Sequence, residues 1–178
     1  MVPEAPLETT ENGRVAKGDG WFVLDARDAR WYSREGRPAL CDLEGDSEFP
    51  QLGINIQVLG PGQPMAMYHW EADQEDFLVV SGEGLLIIEG QERPLKAWDF
   101  VHCPPWTEHV FVGAGEGPCT ILAVGTRSDG GVVYPHSEVA LRHRAGVERE
   151  TDQPREAYAE IPADDEVAYR AGWLPEGG

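Results

Sequence analysis

Residues 68–82 read YHWEADQEDFLVVSG and contain three potential metal ligands, His69, Glu71 and Glu75, while a fourth, His109, follows a proline-rich turn. On a β-strand, side chains two positions apart point to the same face, so we expect His69 and Glu71 to project together. A histidine and a carboxylate on an apolar inner face need a counter-charge, a hydrogen-bond network or a metal ion. A metal ion is the most economical of these, so the pattern indicates a metal site.

Short strands are predicted on both sides of this stretch. Apolar and polar residues alternate with a period of two over 52–59, which is typical of a half-buried strand. Turn residues separate further strand candidates, at 21–24, 31–32, 65–71, 76–80, 85–89, 99–103, 109–112 and 119–125. Gly90 provides a hairpin turn within 89–92. Strands of this length at regular spacing indicate an all-β fold, either an antiparallel sandwich or a barrel.

The composition divides the chain into three segments. Residues 1–20 are polar and rich in charge and glycine, so we expect a mobile arm, with order beginning near Trp21. We place the β domain at 21–133 and a C-terminal extension at 134–178.

The C-terminal extension is expected to be partly helical. Ser137 is predicted to cap a first short helix, and Asp152 a second one with Pro154 near its start. Residues 163–173 form a weaker third helix candidate. No catalytic pattern occurs within the extension itself.

The ligand spacing resembles the two motifs of the cupin superfamily. The first motif reads Gly, five residues, His-x-His, three or four residues, Glu, six residues, Gly, and its matching positions are His69, Glu75 and Gly82. The second reads Gly, five residues, Pro-x-Gly, two residues, His, three residues, Asn, and is matched by Pro104 and His109.

Several positions depart from these motifs. Glu71 stands where the family has its second histidine, and Trp98, Trp106 and Gly113 stand where the second motif has Gly, Gly and Asn. The resemblance covers roughly residues 52–127.

The resemblance implies an antiparallel double-stranded β-helix, the cupin jelly-roll barrel, that binds a divalent ion such as Zn, Fe, Mn or Ni. Its metal ligands would be His69, Glu75, His109 and Glu71. Glu71 has three possible roles: it binds the ion, it orients a neighbour, or it acts as a base. Two imidazoles and two carboxylates would leave the ion formally neutral, hence a weaker Lewis acid that attracts anions less.

His102 is a second candidate catalytic residue besides Glu71. It alternates with Phe100 and is expected to face inward, as a hydrogen-bond donor near the site or as a proton carrier. A purely structural histidine is the alternative. The expected apolar lining suits a small, partly apolar ligand and consists of Met65, Met67, Phe77, Phe100 and Phe111.

Tyr68 and Trp70 point away from His69 and form an apolar outer face. Such a face is rarely left to water, so N-terminal strands, the C-terminal extension or another subunit must cover it. Since cupins commonly dimerise across such a sheet, the resemblance implies a homodimer.

Charge and cysteine content restrict the partners. Fourteen basic and 32 acidic residues give a formal net charge of −18, which repels nucleic acid and anionic membrane surfaces. The three cysteines show no CxxC spacing, so structural zinc and a disulfide framework are disfavoured. Without a signal-peptide pattern or a long apolar run, we expect a soluble cytoplasmic protein.

The resemblance favours a metal-dependent enzyme that acts on a small molecule in the barrel, in a dioxygenase, isomerase or decarboxylase type of reaction. A non-catalytic ligand-binding or sensing module is the first alternative. A structural cupin with a vestigial site is the second. Fold alone does not choose among these functions.

Overall fold

The computed structural model describes residues 1–46, 48–128 and 130–176. In chain order, the strands are β1 (Leu7–Thr10), β2 (Gly13–Ala16), β3 (Trp31–Ser33), β4 (Ala39–Asp42), β5 (Leu52–Leu59), β6 (Trp70–Glu71), β7 (Glu75–Ser81), β8 (Glu83–Ile88), β9 (Gln91–Lys96), β10 (Phe100–Cys103), β11 (His109–Ala114), β12 (Cys119–Thr126), β13 (Val132–Val133) and β14 (Asp165–Val167). The helices are α1 (Glu138–Arg142) and α2 (Pro154–Ala157). Within the described residues, neither helix has the length and apolar character needed to cross a membrane.

Two antiparallel sheets form the body of the fold. The larger has seven strands in the order β10, β7, β12, β5, β4, β3, β14, and the smaller has three in the order β11, β8, β9. The prediction of an antiparallel all-β fold from regularly spaced short strands is therefore confirmed.

The main apolar core lies between these sheets. One side comes from β5, β7, β10 and β12, and the other from β8 and β11. Its buried members are Leu59, Phe77, Val79, Leu86, Val101, Cys103, Phe111, Cys119, Ile121 and Ala123. Because both sheets give alternate side chains to this layer, the β-strand period of two is visible directly in the packing.

The predicted hairpin turn is present between β8 and β9. Ile88 pairs with Gln91, and the two turn residues, Glu89 and Gly90, have φ of 49° and 71°. Two positive φ angles in a two-residue loop match the twist of the flanking strands, and glycine adopts such an angle without steric strain. The sequence did not predict β9 itself, because the strand is mostly exposed and polar and contains Pro94, as edge strands do.

Ordered structure begins before Trp21, earlier than the sequence predicted. β1 and β2 pair as a hairpin, and the Arg14 N–H donates to the Asp28 carbonyl at 2.6 Å. The hairpin is held because three small apolar side chains of this otherwise polar segment are buried: Ala5, Val15 and Ala16.

The strand predicted at 21–24 is absent. Trp21 makes only an isolated bridge with Glu4, and both Trp21 and Val23 are exposed. An apolar run of four residues was therefore a poor indicator of a strand here, since the run has no neighbouring strand to pair with over its length.

The extension contains two of the three predicted helices. Ser137 caps α1, its Oγ accepting the Ala140 N–H at 3.3 Å. Pro154 begins α2 as expected, although the capping position is Gln153 rather than Asp152.

The helix predicted at 163–173 is wrong, because this segment contains β14, which pairs with β3. An extended backbone allows Val167, Tyr169 and Trp173 to pack around the buried Trp31, and the Trp31 and Trp173 rings lie 4.9 Å apart.

The C-terminal extension covers the outer face of the ligand-bearing segment. Tyr68 is 1% exposed and packs in a cluster with Ile87, Val110 and two alanines of the extension, Ala140 and Ala145. This is one of the three coverings expected from the sequence. The homodimer stays a prediction, which light scattering would test.

Trp98 and Trp106, at glycine positions of the second cupin motif, have φ of 74° and 68°. The left-handed backbone that favours glycine is thus retained although the side chains are large. Both indoles are exposed. Each strained residue costs about 1–3 kcal/mol.

Gly113, where the second motif has Asn, lies against the backbone of the β5–β6 connection. A Cβ atom at this position would be 2.1 Å from the Gly60 carbonyl oxygen. We therefore predict that Gly113→Ala lowers the free energy of unfolding by about 1–3 kcal/mol, measured by denaturant or thermal melting. Gly117→Ala is the matched control, because a Cβ there meets nothing within 4 Å. Equal stability of the two variants would contradict the prediction.

Candidate metal centre

The ligand-bearing segment expected as a strand at 65–71 is bulged. Pro64 pairs with Val112 and His69 pairs with His109, so five steps along this segment oppose three along β11. Two extra residues therefore bow out of the ladder before His69. The two residues of β6 pair regularly, but with β13 rather than with β11.

The C-terminal extension satisfies the backbone of this bulge. The Tyr68 N–H donates to the Ala145 carbonyl at 2.6 Å, and the Met67 N–H donates to the Tyr158 hydroxyl at 3.1 Å. A buried N–H group without a partner costs about 1–3 kcal/mol. The extension thus holds the segment in the conformation that presents His69.

Both site histidines have a fixed tautomer. Nδ1 of His69 lies 2.7 Å from the Met67 carbonyl, and Nδ1 of His109 lies 3.0 Å from the Thr107 carbonyl. Because a carbonyl only accepts, each Nδ1 carries the proton and each Nε2 keeps its lone pair. This is the arrangement typical of metal-binding histidines.

The structure brings together His69, Glu75 and His109, whose ligand atoms all lie within 4.8 Å of one another. His109 Nε2 is 3.4 Å from Glu75 Oε2. Two ligands about 2.1 Å from one tetrahedral ion would lie roughly 3.4 Å apart, so these side chains fit a divalent ion. Glu71 lies at the edge of the cluster, its Oε1 3.7 Å from His69 Nε2.

Burial favours the uncharged form of each of the three clustered groups. It lowers the pKa of His69, and it lowers the pKa of His109 to about 4, with His69 adding to the second effect. Burial also raises the pKa of Glu75 to about 8, assisted by the charges of Glu71 and Asp73. A cation that binds here must therefore displace a proton from Glu75, which makes metal affinity depend on pH.

A cavity of about 210 Å³ opens beside the cluster. Its apolar lining includes Met65, Phe77 and Phe111, as the sequence predicted. Sequence reasoning missed its polar lining, which consists of Asn55, Gln57, Tyr134 and Tyr158. The polar side of the alternating 52–59 pattern was the available signal for Asn55 and Gln57.

His102 and Phe100 do not face this cavity. Val101 and Cys103 take the buried positions of β10, so Phe100 is 64% exposed and His102 lies on the outer surface. His102 Nδ1 is hydrogen-bonded to Asp76 Oδ1 at 2.6 Å. The expectation that both residues point inward is wrong, because the strand has the opposite phase.

Met67 also differs from expectation. The bulge turns its side chain away from the His69 face, and it packs with Tyr134 and Ala157 of the extension. Alternation by two positions holds only where the ladder is regular, which it is not at this point.

Comparison with known families agrees with this fold. A family model of the cupin domain matches residues 55–125, which include all three clustered ligands. The chain therefore contains a cupin domain. No curated protein matches the chain.

Solved structures give a similar result. A predicted oxalate decarboxylase from Thermotoga maritima is 18% identical, with 60% of this chain and 100% of that one covered and a TM-score of 0.54. An uncharacterised Klebsiella pneumoniae protein with a double-stranded β-helix domain is 23% identical, covering 62% and 93%, with a TM-score of 0.51. These likenesses show the fold.

A protein provisionally described as a sugar phosphate isomerase, from Acidithiobacillus ferrooxidans, is 29% identical with a TM-score of 0.44. The alignment covers 47% of this chain and 54% of that one, so the chain spans about half of that protein's length.

The raised pKa of Glu75 predicts a pH-dependent stability of the metal-free protein. The folded carboxyl keeps its proton up to about pH 8, whereas the unfolded one loses it near its usual value, so folding stability falls as pH rises between the two. Glu75→Gln removes this ionisation. We expect thermal melts to show that Glu75→Gln is more stable than wild type, by a difference that grows as the pH rises from about 5 to about 9.

Added divalent ion should raise the melting temperature of wild type far more than that of the Glu75→Gln variant. The control is Glu116→Gln, on an exposed turn, which should show neither effect. A pH-independent difference between Glu75→Gln and wild type would contradict the assignment.

Proposed function

We propose that this protein is a metal-dependent enzyme acting on a small molecule bound in the cavity beside His69, Glu75 and His109. The observation that carries the proposal is the convergence of these three ligand atoms within 4.8 Å at the wall of a 210 Å³ cavity. A cavity with a few convergent polar groups and perturbed pKa values is typical of an active site.

Each clustered residue has a defined task in this proposal. The Nε2 atoms of His69 and His109 and the carboxylate of Glu75 hold the ion, and the backbone carbonyls on the two Nδ1–H groups keep the rings oriented. A bound divalent ion supplies Lewis-acid polarisation of a substrate oxygen. Met65, Phe77 and Phe111 form the apolar part of the wall beside the ion.

Glu71 is the residue that supports a reaction involving proton transfer. It lines the cavity but lies outside the group of three closest ligands, so its carboxylate is free to accept a proton from a substrate. This favours an isomerase type of reaction over a dioxygenase type, in which no protein base is required at this position. The mixed imidazole and carboxylate ligands suit Zn, Fe, Mn and Ni as a group and do not select one of these ions.

Metal analysis of the purified protein tests the proposal. We expect about one divalent ion per chain in wild type and its loss in His69→Ala, because two remaining ligands hold an ion poorly. His136→Ala is the control, since this histidine is exposed and lies in the extension. Full occupancy in His69→Ala would show the ligand assignment to be wrong. Metal binding without turnover in oxygen-uptake and isomerisation assays would instead indicate the ligand-binding alternative.

Substitutions of Glu71 separate its two possible roles. If Glu71 binds the ion, Glu71→Gln weakens metal affinity and Glu71→His restores it, with a shift towards metals that prefer imidazole. If Glu71 is the base, Glu71→Gln keeps the metal and loses turnover by about 10²–10⁴-fold, because an amide cannot accept the proton. Titration calorimetry and activity assays measure the two effects, and unchanged affinity together with unchanged turnover would exclude both roles.

A further inference from the structure

Asn55 places an unsatisfied acceptor in the cavity. Its Oδ1 is buried and has no hydrogen-bond partner in the described part of the chain. The residue lies on β5 opposite Ala123, and its side chain lines the cavity together with Glu71 and Glu75. A buried acceptor without a partner costs about 1–3 kcal/mol, which a donor on a bound ligand would recover.

Tyr158 supplies an available donor in the same cavity. Its oxygen accepts the Met67 N–H at 3.1 Å. It also contacts the Tyr134 hydroxyl, and this contact adds to the larger effect of burial in raising the pKa of Tyr134. Because the same contact lowers the pKa of Tyr158, against the larger effect of burial, Tyr134 is the donor in it, and the Tyr158 hydroxyl proton has no other acceptor among residues 1–46, 48–128 and 130–176. A phenol in a partly apolar pocket normally directs this proton to a partner.

The charge of the cavity restricts what can meet these two groups. Within the described residues, no lysine or arginine lines it, whereas Glu71 and Glu75 do. The two carboxylates offset the charge of a divalent ion, so the cavity offers an anionic group no net counter-charge. At about 30 Å³ for each water-sized group, 210 Å³ holds roughly seven such groups.

We propose that Asn55 Oδ1 and the Tyr158 hydroxyl anchor the substrate, and that the substrate is a small uncharged molecule with a hydrogen-bond donor next to a carbonyl or hydroxyl oxygen. Its N–H or O–H donates to Asn55, and its oxygen accepts from Tyr158. This inference rests on the proposed function, because it assigns the ligand class of the same cavity.

N-Methylacetamide is a suitable probe, being small, uncharged and equipped with both a carbonyl and a single N–H. Its binding to Co²⁺-loaded protein is followed by the visible absorption of the metal. We expect Asn55→Leu and Tyr158→Phe each to weaken binding roughly tenfold. N,N-Dimethylacetamide, which lacks the N–H, should bind wild type and Asn55→Leu equally.

Two further measurements separate substrate anchoring from a structural role. Asn55→Leu removes the unpaired buried oxygen, so it should raise the melting temperature of the ligand-free protein and lower the affinity for the probe. Tyr169→Phe is the matched control, because the Tyr169 hydroxyl also accepts a backbone N–H, that of Leu174 at 3.4 Å, away from the cavity.

The outcomes distinguish this inference from the proposed function. Failure of wild type to take up a metal ion overturns the proposed function and the inference with it. Metal uptake with wild-type probe affinity in Asn55→Leu, or with no probe binding to wild type, overturns the inference alone. If Tyr158→Phe loses the metal because the Met67 N–H has lost its acceptor, the Asn55→Leu result alone decides whether the inference holds.

Discussion

Two hydrogen bonds to the bulge before His69 are the constraint on which the site depends. A segment with two residues more than its partner strand cannot satisfy its own backbone through the ladder, and the Met67 and Tyr68 N–H groups turn outward to the C-terminal extension. Since these groups adjoin a metal-ligand candidate, the extension is part of the site's construction. The cupin motifs alone therefore indicate the candidate ligands but not the complete cavity.

Much of the fold and part of the site could be predicted from the sequence. His69, Glu75 and His109 could be grouped because their spacing resembles the two cupin motifs, and the structure brings their ligand atoms together. The longer strands were predictable from their alternating pattern, since every second side chain has to reach a common core. β9 was missed, because an exposed edge strand has no such requirement.

The misses at the site have two physical causes. Asn55 and Gln57 share the polar face of β5, and a polar face usually meets solvent, whereas here it meets the cavity. Period-two patterns identify two faces without stating which is internal, and the same ambiguity misplaced His102 and Phe100. Tyr158 lacks any local marker, because its role arises from a contact with Met67 that only the tertiary structure creates.

The contact between the extension and the bulge also orders events in time. During synthesis, the three candidate ligands leave the ribosome before Ala145 and Tyr158, since chains grow from the N-terminus. A nascent chain can then pair β7 with β12 and β8 with β11 before the Met67 and Tyr68 N–H groups have partners. The backbone partners of the candidate site are consequently completed only after residues 145 and 158 have been synthesised.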